Sequence, residues 1–299
     1  MNSSIFVILP KRETLFAKRY TRFAHLANTL ENKQALLFFA HFCHAQQQSS
    51  EKFKDFAVPL CRFAAPTTTP LNRSKLLTLG FYESIVDDFL RRLSTPILSQ
   101  AIPLAISAQA LKRTHQQKDH WRLWGENLLN HKLPPQQLTE YIFITGALQI
   151  IYCLAASQLD AQNLSAQPKN LCPACSGTHS ANLIIEVKPQ ETIKVCSCLY
   201  CGTLWQIAHN QCSFCQAKQG LSTHSNKHLS NGILFETCEK CGFYCKQFNH
   251  QQNPILDVFA DDISTPTTDF LQKISCSFQH KSFNPFLAED RKEPVWAKS

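Results

Sequence analysis

The sequence predicts an α+β protein: an all-helical N-terminal domain, then two tandem four-cysteine metal-binding ribbon units, then a C-terminal helical tail. Three observations carry that expectation. Apolar residues recur at helical spacing through most of the first 160 residues, short β-branched runs replace them after Cys175, and four Cys-x-x-Cys pairs crowd into residues 172–241. A chain of 299 residues accommodates about two domains of roughly 100–200 residues each.

From Arg12 to Leu30, the residues Leu15, Phe16, Tyr20, Phe23, Ala24, Leu26 and Ala27 form an apolar stripe with Lys18, Arg19 and Arg22 between them, which predicts a helix. A second helix is expected from Asn32, in the capping position, through Ala45, and the two should pair antiparallel. Residues 49–80 contain Pro59, Pro66, Pro70 and the run Thr67–Thr69 without sustained periodicity, and read as an irregular connection. Helical pattern resumes at Glu83, with helices over 84–93, 97–112, 119–129 and 136–159, punctuated by Thr95-Pro96 and Pro134-Pro135. The most apolar window, Tyr141–Ala156, carries Gln149 and falls short of the ~20 apolar residues a membrane span needs, so it reads as a buried core helix and no membrane span is expected. The helical domain is placed at residues 1–167.

Beyond Cys175 the runs Leu183–Val187, Thr192–Val195 and Gly232–Thr237 read as strands leading to or from cysteine knuckles. They place the ribbon units at 168–207 and 208–250. The remainder, 251–299, is expected to form a helix over 255–274, interrupted near Thr265-Pro266, and an aromatic tail over 282–287.

The four pairs are Cys172/Cys175, Cys198/Cys201, Cys212/Cys215 and Cys238/Cys241, and the last four positions repeat the first four at an offset of 40 residues. Each unit has 22 residues between its inner cysteines, near the spacing of structural zinc sites. Two cysteines separated by two residues can turn both sulfurs to one ion, and two such knuckles complete a tetrahedral four-sulfur site. We therefore expect Cys172, Cys175, Cys198 and Cys201 to hold one ion and Cys212, Cys215, Cys238 and Cys241 a second, with a cross-braced pairing of knuckles as the competing arrangement. A tetrahedral thiolate cage accepts zinc or, as in rubredoxin-like sites, iron. Gly202 and Gly242 follow the second cysteine of two knuckles and ease the turn; Ser176 and Gln216 stand in the equivalent places of the others.

Cys196 and Cys245 lie beside knuckles but off the repeat, Cys196 being the best spare ligand, while Cys43, Cys61, Cys153 and Cys276 sit in apolar surroundings and read as small buried side chains. His41 and His44 could meet on one helix face, yet no acidic or nucleophilic partner stands at a recognisable spacing. With no phosphate loop, dinucleotide fingerprint, Gly-x-Ser-x-Gly or His-Glu-x-x-His, a non-catalytic protein is expected. Cysteines packed into one third of the chain, with only a five-residue apolar run (Ile5–Leu9) near the start, point to a thiol-reducing cytoplasmic setting. The net charge of +8 is lopsided: residues 1–165 carry 18 Lys/Arg against 11 Asp/Glu, residues 166–299 carry 12 against 11. A ribbon protein that binds nucleic acid is the alternative from another class. The inter-cysteine residues Pro-Ala, Leu-Tyr, Ser-Phe and Glu-Lys lack the clustered Lys/Arg that phosphate contacts require and argue against it. A thiol oxidoreductase acting through one Cys-x-x-Cys pair is a third reading.

With these residues in view, the chain resembles the FdhE family of accessory proteins for formate dehydrogenase maturation. The resemblance rests on Arg19–Ala27, Phe38–Gln46, the four Cys-x-x-Cys motifs including Cys198–Trp205 and Cys212–Cys215, and the closing segments Val258–Ile263 and Phe283–Leu287. It implies a cytoplasmic helper with a helical N-terminal domain and rubredoxin-like, iron-binding ribbons. Its implied partner is the catalytic subunit of respiratory formate dehydrogenase, a molybdenum enzyme exported folded by the twin-arginine route. Apart from that resemblance, a second copy of the chain is a further candidate partner.

Overall fold

The computed structural model describes residues 6–65, 70–95, 105–134, 137–225, 231–265, 279–280 and 284–287. The chain divides into two compact units: a ribbon unit of residues 1–8, 160–199 and 203–284, and a helical unit of residues 9–159, 200–202 and 285–299.

The helical unit is built around its most apolar segment. Its described helices are α1 (Leu15–Leu26), α2 (Lys33–Lys52), α3 (Ala57–Ala64), α4 (Arg73–Leu77), α5 (Gly80–Leu93), α6 (Ala105–Gln116), α7 (Trp121–Leu129) and α8 (Leu138–Ala156). Every residue of α8 from Glu140 to Ala156 is buried, so this helix, long and apolar enough to cross a membrane by composition, is the core around which the other helices pack. Gly146 permits a close approach, since a Cβ there would run into the Phe42 and Phe89 rings. At the same crossing the Gln46 amide donates to the Gly146 carbonyl (2.9 Å) and to Gln149 Oε1 (2.8 Å). The polar Gln149 is thus tolerated in the apolar helix because its oxygen is satisfied there.

Helices α1 and α2 are antiparallel as expected: Phe23 stacks on Phe39 (centroids 5.4 Å apart) while, at the other end, Gln47 Oε1 accepts from the Ala17 backbone N–H (3.1 Å). That bond occupies one of the amides a helix start leaves without an internal partner. Buried Asp88 of α5 ties back to α2, accepting from Ser49 Oγ (2.9 Å) and Lys52 Nζ (2.6 Å) as well as from Arg92 Nε (2.7 Å). Burial opposes ionisation of Asp88, but these donors outweigh it and hold the carboxyl below its usual range. Tyr200 belongs to this unit, its hydroxyl donating to the Leu128 carbonyl (3.2 Å) and its ring lying 4.7 Å from the Arg73 guanidinium. So does Phe286, whose ring meets Phe39 and Phe42 edge-on.

The irregular connection expected over residues 49–80 is corrected by the structure: α2 continues to Lys52, a 3-10 turn covers Lys54–Phe56, and α3 and α4 follow. Pro59 does not break this region. It lies in the first turn of α3, where the missing N–H has no intrahelical partner to lose. Likewise α5 begins at Gly80 rather than Glu83. The expected helix over 97–112 is described from Ala105 and extends to Gln116; its earlier residues, like Thr67–Thr69 and Cys276, lie outside the described residues.

The ribbon unit is one eight-stranded sheet in the order β1-β4-β3-β2-β7-β6-β5, with β8 (Gln279–His280) beside β7. Its strands are β1 (Val7–Ile8), β2 (His179–Lys188), β3 (Glu191–Cys198), β4 (Leu204–Ile207), β5 (Leu221–Ser225), β6 (Ile233–Cys238) and β7 (Phe243–Asn249). The 40-residue repeat is visible as two antiparallel triplets, β2-β3-β4 and β5-β6-β7. They join through a parallel pairing of β2 with β7, Asn182 opposite Gln247 and Ile184 opposite Asn249. A two-fold relation would pair like strands antiparallel. The parallel join of unlike strands means that the second ribbon repeats the first by a shift across the sheet, with all four knuckles at one end.

The two faces of this sheet differ. Ala181, Leu183, Ile193, Val195, Ile233 and Phe248 form an apolar face packed against Leu256 and Val258, at the start of helix α9 (Val258–Ser264). The expected helix over 255–274 is thus described only as α9, whose N-cap Asp257 accepts from the Phe259 and Ala260 backbone amides; residues 266–274 lie outside the described residues. The opposite face carries Asn182, Lys194, Cys196, Glu236 and Cys245, all buried. Polar groups at such positions must be satisfied internally.

Candidate metal centre

Each knuckle begins as a tight loop closed by backbone bonds. Ser176 N–H donates to the Cys172 carbonyl (2.8 Å), Gln216 N–H to Cys212 (3.0 Å) and Gly242 N–H to Cys238 (2.9 Å). The residue after the second cysteine is left-handed in all four knuckles: φ is +54° at Ser176, +78° at Gly202, +64° at Gln216 and +69° at Gly242. The turn is therefore the same whether glycine occupies it or not, and Ser176 and Gln216 adopt it at a steric penalty glycine avoids.

These loops bring the eight sulfurs into two groups, Cys172/Cys175/Cys198/Cys201 and Cys212/Cys215/Cys238/Cys241, with every sulfur of a group within 4.8 Å of the others. Sulfurs therefore group within each repeat. The donor set fits a tetrahedral ion, because metal–sulfur bonds of about 2.3 Å place sulfurs about 3.8 Å apart. The Sγ–Sγ separations are 3.4 Å for Cys175–Cys198, 3.8 Å for Cys212–Cys241 and 3.7 Å for Cys215–Cys238. Each group could hold a metal ion, and a backbone amide already aims at sulfur, Phe214 N–H lying 3.4 Å from Cys212 Sγ.

The second group shows how its surroundings divide the thiols. Burial pushes Cys212 up to about 11 and raises Cys241, whereas for Cys215 the opposing burial is outweighed by the Ala217 backbone amide and the neighbouring thiols, which hold it below the ordinary value. Metal binding would replace this uneven proton sharing, since the ligand form is the thiolate.

The spare cysteines are placed apart from these groups. Cys196 is buried in β3, its thiol donating to Asn182 Oδ1 (3.4 Å), and burial pushes it up to about 12; Cys245, buried in β7, is raised well above the thiol range for the same reason. Cys43 and Cys153 are buried as expected, and Cys61 is half-buried. His41 and His44 lie on α2 outside both sulfur groups; His44 packs on the Tyr20 ring, and burial holds His41 below the ordinary imidazole value. Arg19 and Arg22, which stand between the apolar positions of α1, are buried.

Three features of the ribbon unit are not apparent from the motifs alone. Asn170, at φ +53°, donates to the Ser213 carbonyl (2.7 Å) and to Cys196 Sγ, and accepts from the Trp205 indole (2.9 Å), so one amide links the two ribbons. Lys194 of the first ribbon forms a buried ion pair with Glu236 of the second and donates to the Gln211 carbonyl (3.1 Å). On the other face Lys246 pairs with Asp262 of α9 (3.0 Å) and donates to the Thr265 carbonyl (3.0 Å). The available signal was a single charge inside an apolar strand run, Ile193-Lys194-Val195 or Phe235-Glu236, because a buried charge must be paired. A cavity of about 390 Å³ is lined by Cys212, by Gln167, Asn170, Gln206, Gln211 and Gln216, and by Ala166, Ile207 and Ala208.

A helical unit joined in one chain to a sheet that carries two four-cysteine groups defines a protein of the ribbon class, rubredoxin-like or zinc-ribbon-like at its metal-binding end. Residues 5–169 match the family described as FdhE, N-terminal, and residues 210–287 the FdhE, C-terminal domain; the chain belongs to the FdhE family. It is 25% identical over 290 residues to an FdhE homolog of Rhizobium meliloti, covering 94% of this chain and 92% of that one. An FdhE homolog of Stutzerimonas stutzeri is 26% identical over 276 residues, covering 89% and 87%. The fold matches the crystal structure of the FdhE protein from Pseudomonas aeruginosa with a TM-score of 0.74 at 22% identity, covering 95% of this chain and 99% of that one.

Proposed function

We propose that this protein is a non-catalytic, cytoplasmic accessory factor that supports maturation of respiratory formate dehydrogenase by binding its catalytic subunit through the ribbon unit. The observation that carries this reading is the pairing of family membership with two complete four-cysteine groups, whose ligands would be Cys172, Cys175, Cys198 and Cys201 for one ion and Cys212, Cys215, Cys238 and Cys241 for the other. Iron is the metal the family resemblance implies, and zinc fits the same cages. Either ion would stabilise the folded ribbons, at 168–207 and 208–250, because the unfolded chain presents no preformed site; iron would add one-electron chemistry.

What this chain's own residues do is hold geometry. The left-handed turns and Asn170 fix the knuckles, and Lys194–Glu236 holds the second ribbon to the first. Affinity co-purification from cells expressing formate dehydrogenase tests the partner, and deletion followed by a formate-oxidation assay tests the need. We expect the catalytic subunit to be retained and formate oxidation to fall; a chain that retains no such subunit and whose loss leaves formate oxidation intact sinks the proposal. Anaerobic purification with elemental analysis and absorption spectroscopy separates iron from zinc.

A further inference from the structure

We infer that the two cages divide their labour: the first is a permanent staple, and the second exchanges its ion with a thiol-bearing acceptor across an exposed edge formed by Cys215 and Cys241. The inference rests on the metal loading proposed above. All four cysteines of the first group are buried; in the second, Cys212 and Cys238 are buried, Cys241 is half-exposed and Cys215 is exposed. The loop residues follow suit. Pro173 and Ala174, between the first pair, are buried, whereas Gln216, Glu239 and Lys240 around the second cage are exposed.

Ligand exchange at a tetrahedral thiolate site needs room for a fifth donor. The burial of all four ligands leaves the first cage no exposed sulfur for an incoming thiol to displace. In the second it can approach past Cys215. The incoming thiol's sulfur then bonds the ion, the bond from Cys215 Sγ breaks, and the proton released by the incoming thiol passes to Cys215. No electron changes hands, so no oxidant or reductant is required. Cys241 is the next ligand open to replacement, while Cys212 and Cys238 hold the ion until a second acceptor thiol arrives. The repeat thus encodes two cages of one geometry, and the neighbouring chain decides which of them opens.

The test uses the full chain loaded with zinc. Release to a chromogenic chelator is followed in the presence of glutathione, while parallel samples are labelled with N-ethylmaleimide and mapped by mass spectrometry. Two phases are expected, one ion leaving faster by an order of magnitude or more, as thiol exchange tracks access, with Cys215 and Cys241 labelled during the fast phase and the first four cysteines protected. In Cys215→Ser the fast phase should disappear and one slowly released ion remain; because the unmodified chain is measured first, the proposal is decided even if that variant fails to fold. Two bound ions that leave at a single rate, or labelling of Cys172, Cys175, Cys198 and Cys201 as early as Cys215, overturns the division. A chain that purifies without metal and labels at all eight positions together overturns the metal reading itself.

Discussion

In the first ribbon the strands are ten, eight and four residues long and their cysteines are buried; in the second they are five, six and seven, with β5 largely exposed and Cys215 open to solvent. Yet the knuckles share one turn and one sulfur grouping. The likeness comes from local chemistry: a Cys-x-x-Cys loop with a left-handed residue after it sets sulfur positions wherever it occurs. The difference comes from position in the sheet. The parallel β2–β7 join makes the ribbons follow one another in the same sense, so their outer edges are not equivalent. One edge is the 204–207 strand covered by β1, and the other is β5.

The sharpest way to break this comparison is to remove one ligand from each cage. Cys198→Ser should destabilise the ribbon unit by on the order of 5 kcal/mol, as metal binding and folding are coupled, and Cys238→Ser should cost less because its cage is already partly open. Circular dichroism with thermal melting checks both, the helical signal surviving in each; equal losses would erase the distinction between the ribbons, and an unchanged sheet after metal removal would contradict the coupling.

Next in size is the link between ribbons. Truncating one member of the buried pair, Lys194→Met or Glu236→Leu, leaves an uncompensated buried charge and should cost about 3–5 kcal/mol, while the double substitution should recover most of it. A denaturant double-mutant cycle measures the coupling. Additive losses would mean that this ion pair does not hold the ribbons together.

The knuckle turns offer a smaller test in which the ribbons should agree. Gly242→Ala places a Cβ at φ +69° and should cost about 1–2 kcal/mol, whereas Gln216→Gly, at φ +64°, should be neutral or stabilising by up to about 1 kcal/mol. Chemical denaturation of the metal-loaded chain reads both. The smallest expected loss is at Asp257, whose carboxylate caps α9 on the apolar face of the sheet; Asp257→Ala should cost about 1 kcal/mol, seen as a lower thermal midpoint with both ions retained.

How much of this was legible beforehand follows the range of the interactions. The eight cysteines, their grouping by repeat, the core helix over 141–156 and the antiparallel first helices could be read because each depends on spacing along the chain: two residues between sulfurs, about 3.6 residues per turn, one unit per repeat. The helices within 49–80 were obscured because Pro59 sits in a first turn, where its ring breaks nothing. Asn170, Lys194 and Glu236 were missed because the partners that link the ribbons lie 43 and 42 residues away along the chain.

What the sequence determined by itself was the family, the two thiol sets and the change from helix to ribbon, all properties of local pattern. Only the tertiary structure decided that the ribbons share one sheet through a parallel join, that two buried lysines find their carboxylates on opposite faces, and that one four-cysteine group is enclosed while the other is open. Those outcomes depend on which strands become neighbours and which surfaces are covered, and burial is a property of the surrounding chain rather than of the motif it surrounds.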